Sequence, residues 1–202
     1  MSRQFTCPSC GAPLQVEHRF SRVVVCGDCN QGASITPGGL APAGQGGSLV
    51  GAPSRLHVGA TGRICGAAFR VLGRLRYGYD GGFWDEWFLL TDPDAHQVWL
   101  QEDDGEFTAF EKETITSSLP TFDEVGVGQS MTANGRALFI TERIEAMILG
   151  GEGELYFAVT PGADVFTVDS TADGQVWSIE YQPNEITLSR GTPVAHAELE
   201  VD

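Results

Sequence analysis

Basic side chains are scarce: 12 Lys and Arg stand against 27 Asp and Glu in 202 residues, a formal net charge of −15. A surface of that sign repels nucleic-acid phosphates and anionic lipid, so neither is expected as the main ligand. Long apolar runs are missing, and without about 20 consecutive apolar residues no transmembrane helix is expected. The opening Met-Ser-Arg-Gln-Phe-Thr-Cys holds no apolar stretch of signal type, which makes the cytoplasm the default location and reduced thiols the default state. Sustained 3.6-residue periodicity is also lacking, so no long helix is expected and with it no phosphate loop ahead of a helix. The residues that remain, 42% hydrophobic and 19% charged, are those of a globular chain.

The charge is unevenly spread. Residues 1–36 carry three basic and two acidic side chains, 37–54 carry none, and 55–77 hold Arg55, Arg63, Arg70, Arg74 and Arg76 with no acid. Residues 78–202 carry the rest, a net of −21. The stretch 37–54 is rich in Gly, Pro and Ala, offers little to bury, and reads as a flexible tether spanning about 20–25 Å. The expected division is therefore an N-terminal module at 1–36, the tether at 37–54, and two β units at 55–121 and 122–202.

Beyond the tether the patterning has period two. Phe69, Val71, Leu75 and Tyr77 alternate with Arg70, Leu72, Arg74 and Arg76, and further strands are expected around 83–91, 97–102, 106–112, 129–133, 136–148, 154–160, 164–169, 175–181 and 185–189. Asn134-Gly135 and Asp173-Gly174 are hairpin signals, because both residue types accept positive φ cheaply. A shift of 69 positions lays residues 56–91 on 125–160, with Val58-Gly59 on Val127-Gly128, Gly66 on Gly135, Arg74 on Arg143 and Gly81-Gly82 on Gly150-Gly151. Such a register suggests an internal duplication, and the fold expected is all-β: two tandem SH3-like rolls behind a small metal module.

Four of the five cysteines form Cys7-Pro-Ser-Cys10 and Cys26-Gly-Asp-Cys29, two C-x2-C turns fifteen residues apart. Paired turns of this kind present four thiolates to one tetrahedral Zn²⁺, and a site filled by four cysteines has no open position for substrate, so the ion is structural. A pair of disulfides or an iron site of rubredoxin type is the competing reading. Gly11, Gly27 and Asn30 suit the tight backbone, and the few apolar residues between the turns leave the metal to supply much of the folding free energy. His18 lies outside the ligand pattern and is expected in solvent; Cys65 is expected to be a buried, inert thiol.

Trp84-Asp85-Glu86-Trp87 is the most unusual string. A strand sends Trp84 and Glu86 one way and Asp85 and Trp87 the other, which serves either recognition or a strand whose tryptophans pack while its acids pair with the preceding arginines. Glu102, Asp103, Asp104 and Glu106 around Gly105, and Glu142, Glu145, Glu152 and Glu154, form acidic groups without the spacing of a calcium loop. No nucleophile, base and orienting group assemble into a recognisable catalytic motif.

The Cys-Pro-Ser-Cys-Gly ribbon, Trp84-Asp85-Glu86-Trp87, Trp99-Leu100 with Glu102-Asp103 and Gly105, then Glu142 and Gly153-Glu154-Leu155, together resemble the bacterial family catalogued as domain of unknown function 4178, from Phe5 to about Gly191. That resemblance implies no established reaction, and hints at a membrane-associated or stress-related assembly. The function expected is thus a non-catalytic adaptor whose acidic β body docks a protein partner with a basic surface, or a cationic small molecule, through Trp84, Asp85, Glu86 and Glu154. Any membrane association would run through that partner. The alternatives are an enzyme working with Asp85, Glu86, Glu102 or Glu154, and a nucleic-acid binder using the ribbon and Arg70, Arg74 and Arg76.

Overall fold

In the computed structural model all residues are described except 1, 48, 50–53, 93–95, 158 and 183–184. The N-terminal module is built from β1 (Arg3–Thr6) and β2 (Pro13–Val16), a hairpin of its own, and from β3 (Val23–Val25), β4 (Gln31–Thr36) and β5 (Gly39–Gln45). Its apolar centre is small: Leu14, Val16, Val24 and Ala33 beside Cys7 and Cys26.

The body follows with β6 (Thr61–Ile64), β7 (Ala67–Tyr79), β8 (Gly82–Thr91), β9 (His96–Asp103), β10 (Glu106–Glu113), β11 (Ser130–Ala133), β12 (Arg136–Leu155), β13 (Asp164–Ala172), β14 (Gln175–Gln182), β15 (Glu185–Val194) and β16 (Leu199–Val201). Two antiparallel meanders, β7 to β10 and β12 to β15, meet along both edges. β10 pairs with β15 and β12 pairs with β7, so the order β7-β8-β9-β10-β15-β14-β13-β12 returns to its start as a closed eight-stranded barrel. β6 and β11 extend the two meanders, β16 pairs with β6, and β3 joins the ribbon to β12.

The all-β class is as expected, while the assembly differs from two separate rolls. Each meander ends on a strand with unpaired backbone groups, and each satisfies them on the other meander rather than on itself. The closing seam demands glycine: at the Gly73↔Gly153 pair a Cβ on Gly73 would lie 2.2 Å from the Glu154 carbonyl oxygen, and Gly153 has φ +71°. β12 runs to Leu155 as one 20-residue strand, so no separate strand covers 154–160.

The turn signals are met. Asn134 and Asp173 have φ 51°, and the following Gly135 and Gly174 have φ 76° and 75°. Cys65, which a 69-residue shift lays on Asn134, occupies the same left-handed position at φ 47° and is exposed, not buried, because that turn position points its side chain off the hairpin. The correspondence by that shift ends after β7: Gly82 opens β8, whereas Gly150 and Gly151 lie inside β12.

Nor is the stretch read as a tether free along its length. Gly39–Gln45 is β5, paired with β4, and Gly47 bridges Gly150 of β12. There a Cβ on Gly47 would lie 2.3 Å from the Leu149 carbonyl oxygen. The absence of side chains, read in sequence as flexibility, here permits close backbone approach.

Side chains from β8, β9, β10, β14 and β15 line one cavity, which identifies the inner face of the barrel. The opposite face of the first meander packs Phe69, Val71, Trp87, Leu89, Leu100 and Phe107 under β6 and β16. That of the second packs Leu138, Ile140, Val168, Trp177, Ile179 and Leu188 under β11 and the 3-10 turn Phe122–Glu124. Each half thus has its own core, and a third cluster with Leu75, Tyr77, Trp84, Ile148 and Val165 unites them.

Candidate functional site

The two C-x2-C turns are built alike. The Cys7 N–H donates to Ala12 and Gly11 donates back to Cys7; the Cys26 N–H donates to Gln31 and Asn30 donates back to Cys26. Gly11 and Asn30 take positive φ, 80° and 56°, which closes each turn. The four Sγ atoms lie within 4.8 Å of one another, with Cys7 to Cys29 at 3.7 Å and Cys10 to Cys26 at 3.8 Å. A tetrahedron of thiolates about 2.3 Å from a zinc ion has edges of about 3.8 Å, whereas a disulfide needs about 2.05 Å. The cysteines are free thiols in an arrangement that suits a metal ion such as zinc.

Their ionisation agrees. Burial opposes a charge on Cys7, but the N–H groups of Cys10 and Ser9 with the neighbouring thiols bring it down to about 6. At Cys29 the Gln31 N–H favours the thiolate, yet burial and the thiols of Cys10, Cys7 and Cys26 push it up to about 12. One thiolate forms readily; four so close together call for a cation.

Of the residues expected to contact a partner, none presents its side chain at the outer surface. Trp84 is 4% exposed and stacks on Tyr77 at 5.0 Å between ring centres. Asp85, 2% exposed, accepts two bonds from Arg76, Nε to Oδ1 at 2.8 Å and Nη2 to Oδ2 at 2.7 Å, with Arg74 at 3.5 Å. Arg74 also meets Glu152 at 2.9 Å and covers the Trp87 ring. A buried aspartate requires such compensation, so the pairing with the preceding strand's arginines holds. Glu86 points into the barrel instead, which is why some of its surface is accessible while its carboxylate is enclosed.

Glu154, 5% exposed, binds the ribbon: it accepts from the Glu17 N–H at 2.6 Å, the His18 N–H at 3.0 Å and the Ser21 hydroxyl at 2.7 Å. This brings His18 indoors, 6% exposed and flanked by Phe20, Phe88 and Tyr156, rather than into solvent. Burial lowers the His18 pKa, so the ring is neutral near pH 7. Glu102 accepts from the Trp87 indole at 2.8 Å and the Ser54 hydroxyl at 2.7 Å. Glu86 in the lumen and Glu154 at the ribbon thus stand apart from each other and from Asp85 and Glu102, which face each other across β8 and β9 beside Arg76. Arg70 pairs with Glu17 at 2.6 Å, and Arg74 and Arg76 are engaged as above, so the β7 arginines present no free basic face for phosphates.

The sequence reading missed the interior. Tyr77, Glu86, Trp99, Lys112 and Glu180 share one cavity of about 60 Å³. Burial, then the charge of Glu180, pushes Glu86 up to about 8. Burial also raises Glu180 and takes Asp169 to about 6. The signal was there in β14, where Ser178, Glu180 and Gln182 alternate with the packed Trp177, Ile179 and Tyr181. Alternation alone leaves open whether that polar side meets solvent or a lumen.

A closed antiparallel barrel carrying a four-cysteine ribbon defines the class: an all-β protein with a candidate structural metal centre. Over residues 57–196, more than two thirds of its length, the chain matches Domain of unknown function (DUF4178), and it belongs to that family. The match begins after the four-cysteine ribbon, which therefore stands in front of it. No curated protein and no solved structure matches the chain. Among the described residues no helix is long and apolar enough to cross a membrane.

Proposed function

We propose that this chain is a non-catalytic binding protein: a ribbon structured by one Zn²⁺, fixed to an acidic barrel that docks a protein partner. The carrying observation is an apolar strip on the outer barrel face. Phe83 on β8 and Met147 and Leu149 on β12 are all exposed, and Gly78 between them lets the Leu149 side chain lie across β7. Asp80, Glu145 and Asp164 stand around the strip. An apolar centre with an acidic rim suits a partner offering an apolar anchor flanked by basic residues. In this reading the partner contact falls on this strip, while Trp84, Asp85, Glu86 and Glu154 are engaged within the protein. A metal site with four cysteine ligands leaves no open position for substrate, which favours binding over catalysis there.

Affinity purification of the full chain from its native lysate at low and moderate salt tests the reading. A partner recovered with wild type, weakened by salt and lost with Leu149→Asp and Met147→Asp, is the expected result. Recovery that is unaffected by both variants refutes it, as does the absence of any partner.

A further inference from the structure

We propose that the partner adds a short extended segment to an open edge of β12, pairing its backbone with Arg143 and Glu145 and turning an apolar and a basic side chain outward. The inference rests on the docking face described above and specifies how that face is occupied.

One side of β12 is paired with β13 from Phe139 to Met147. On the other side β11 reaches only Phe139, the Ile140 N–H donates to Gln129 while its carbonyl accepts from Gly128, and β7 begins only at Ile148. Between them, from Glu142 to Met147, no strand among the described residues borders this side. A shift of 69 lays Glu142–Ala146 on Gly73–Tyr77, the stretch of β7 that pairs with β12. β7 turns into β8 after Tyr79 whereas β12 runs on to Leu155, so the first stretch is covered and the second is not. Alternation sets which groups face the gap. Ile148 donates to Ala163 and accepts from Gly162, on the β13 side, so Glu145 and Arg143 turn their N–H and C=O groups the other way. Gly78, Tyr79 and Asp80 stand across the gap and, with Glu145 and Met147, line an open cleft. An unpaired antiparallel edge of this kind is a template for one more strand.

A second copy of this chain does not fit the gap through the same edge. Its β12 is continuous over 20 residues, and laid antiparallel here it would run into β11 at one end and β7 at the other. The occupant is a short segment instead, about six residues or roughly 20 Å long. Charge chooses its side chains. Asp80, Glu145 and Asp164 line the cleft, and Asp103, then burial, Glu142 and Asp104 raise the pKa of Tyr79 beside it. Arg143, the basic side chain of this edge, lies over the Phe122 ring. Opposite charges across a strand pair stabilise it and like charges oppose it, so a Lys or Arg belongs opposite Glu145. Two positions earlier in an antiparallel segment, an apolar side chain falls opposite Met147, beside the exposed Leu149 and Phe83. The alternate side chains turn inward on the side of Ile144 and Ala146.

The test titrates the full zinc-loaded chain with the peptide acetyl-Leu-Val-Lys-Val-Thr-Val-Lys-amide, whose Leu, first Lys and Thr fall opposite Met147, Glu145 and Arg143. Calorimetry reads affinity, and amide exchange by mass spectrometry reads the place of binding. Three control peptides carry Glu for both Lys, N-methyl groups on the first Lys and the Thr, or N-methyl groups on the first two Val. The expected result is one peptide per chain, slowed exchange at 142–147, and binding at least about tenfold weaker with Glu145→Lys and with the Glu peptide. Methylation at Lys and Thr removes binding, because those N–H groups face β12; methylation at Val leaves it, because those face away. Glu145 is exposed, and an unchanged melting temperature verifies the fold of Glu145→Lys; the methylated peptides need no variant at all. No binding of the parent peptide, protection outside 142–147, equal binding of the Glu peptide, or undiminished binding after methylation at Lys and Thr overturns the proposal. The two readings fail separately. A lysate partner lost with Leu149→Asp and Met147→Asp, alongside a Lys- and Thr-methylated peptide that binds like its parent, keeps the docking face and removes strand addition. Absence of any lysate partner removes the docking reading whatever the peptides do.

Discussion

Truncation of Glu154 to alanine tests whether ribbon and barrel form one unit. The carboxylate sits in a barrel strand yet receives three donors from the ribbon segment, the N–H groups of Glu17 and His18 and the Ser21 hydroxyl, all within 3.0 Å. Hydrogen bonds to a charged group contribute about 1.5–3 kcal/mol each, and donors left without partners in a buried place cost further. The three share one acceptor and are not additive, so the expected loss is about 3–5 kcal/mol. At about 2–4 °C per kcal/mol for a chain of this size, the melting temperature should fall by roughly 6–20 °C. The loss should also be local: amide exchange should accelerate most at 17–22 and across the β3–β12 pairing. Glu154→Gln, which keeps an acceptor oxygen but sets an amide N–H₂ against the remaining donors, should lie between wild type and Glu154→Ala. Thermal melts with amide exchange by mass spectrometry make the measurement. A destabilisation below about 1 kcal/mol with unchanged exchange at 17–22 would falsify the clasp.

Three further outcomes follow from the geometry. Chelation of the metal, or Cys26→Ser, should abolish exchange protection in β1 to β4 while the far-ultraviolet signature of the barrel persists, because the ribbon's own core is only a few side chains; elemental analysis should give one zinc per chain before treatment and none after. Asp85→Ala should destabilise by about 3–5 kcal/mol by leaving Arg76 and Arg74 facing a buried gap, and the double change Asp85→Leu with Arg76→Met should recover much of that in denaturant unfolding. Glu86 has its folded pKa raised to about 8 by burial, so between about 4.5 and 8 the folded state holds a proton that the unfolded state has released. Stability contributed by this group is therefore full below pH 4.5 and declines as pH rises toward 8. Glu86→Gln should remove about one proton's worth of that slope in unfolding curves.

Several features were readable from residue order because their causes are local. Two C-x2-C turns with Gly11 and Asn30 following specify knuckles whatever surrounds them, and Asn134-Gly135 and Asp173-Gly174 specify hairpins because so few residue types accept positive φ. Alternation in Trp84-Asp85-Glu86-Trp87 set Asp85 and Trp87 on one face and Trp84 and Glu86 on the other, and the pairing of Asp85 with the preceding arginines followed from register.

What alternation could not tell is which side of a sheet meets water. Glu86 reads as a position on a partner-facing surface, and two separate rolls would leave that face outside. The pairing of β10 with β15 and of β12 with β7 turned that face inward and made a lumen of it. Edge pairing joins strands far apart in sequence, so no local pattern records it. The same holds for Glu154, whose partners lie more than 130 residues away. Sequence alone determined most of the strands, the turns and the four thiols; tertiary closure decided which carboxylates are compensated, which are enclosed and which lie at the outer surface, since burial belongs to the assembled barrel and not to the strand.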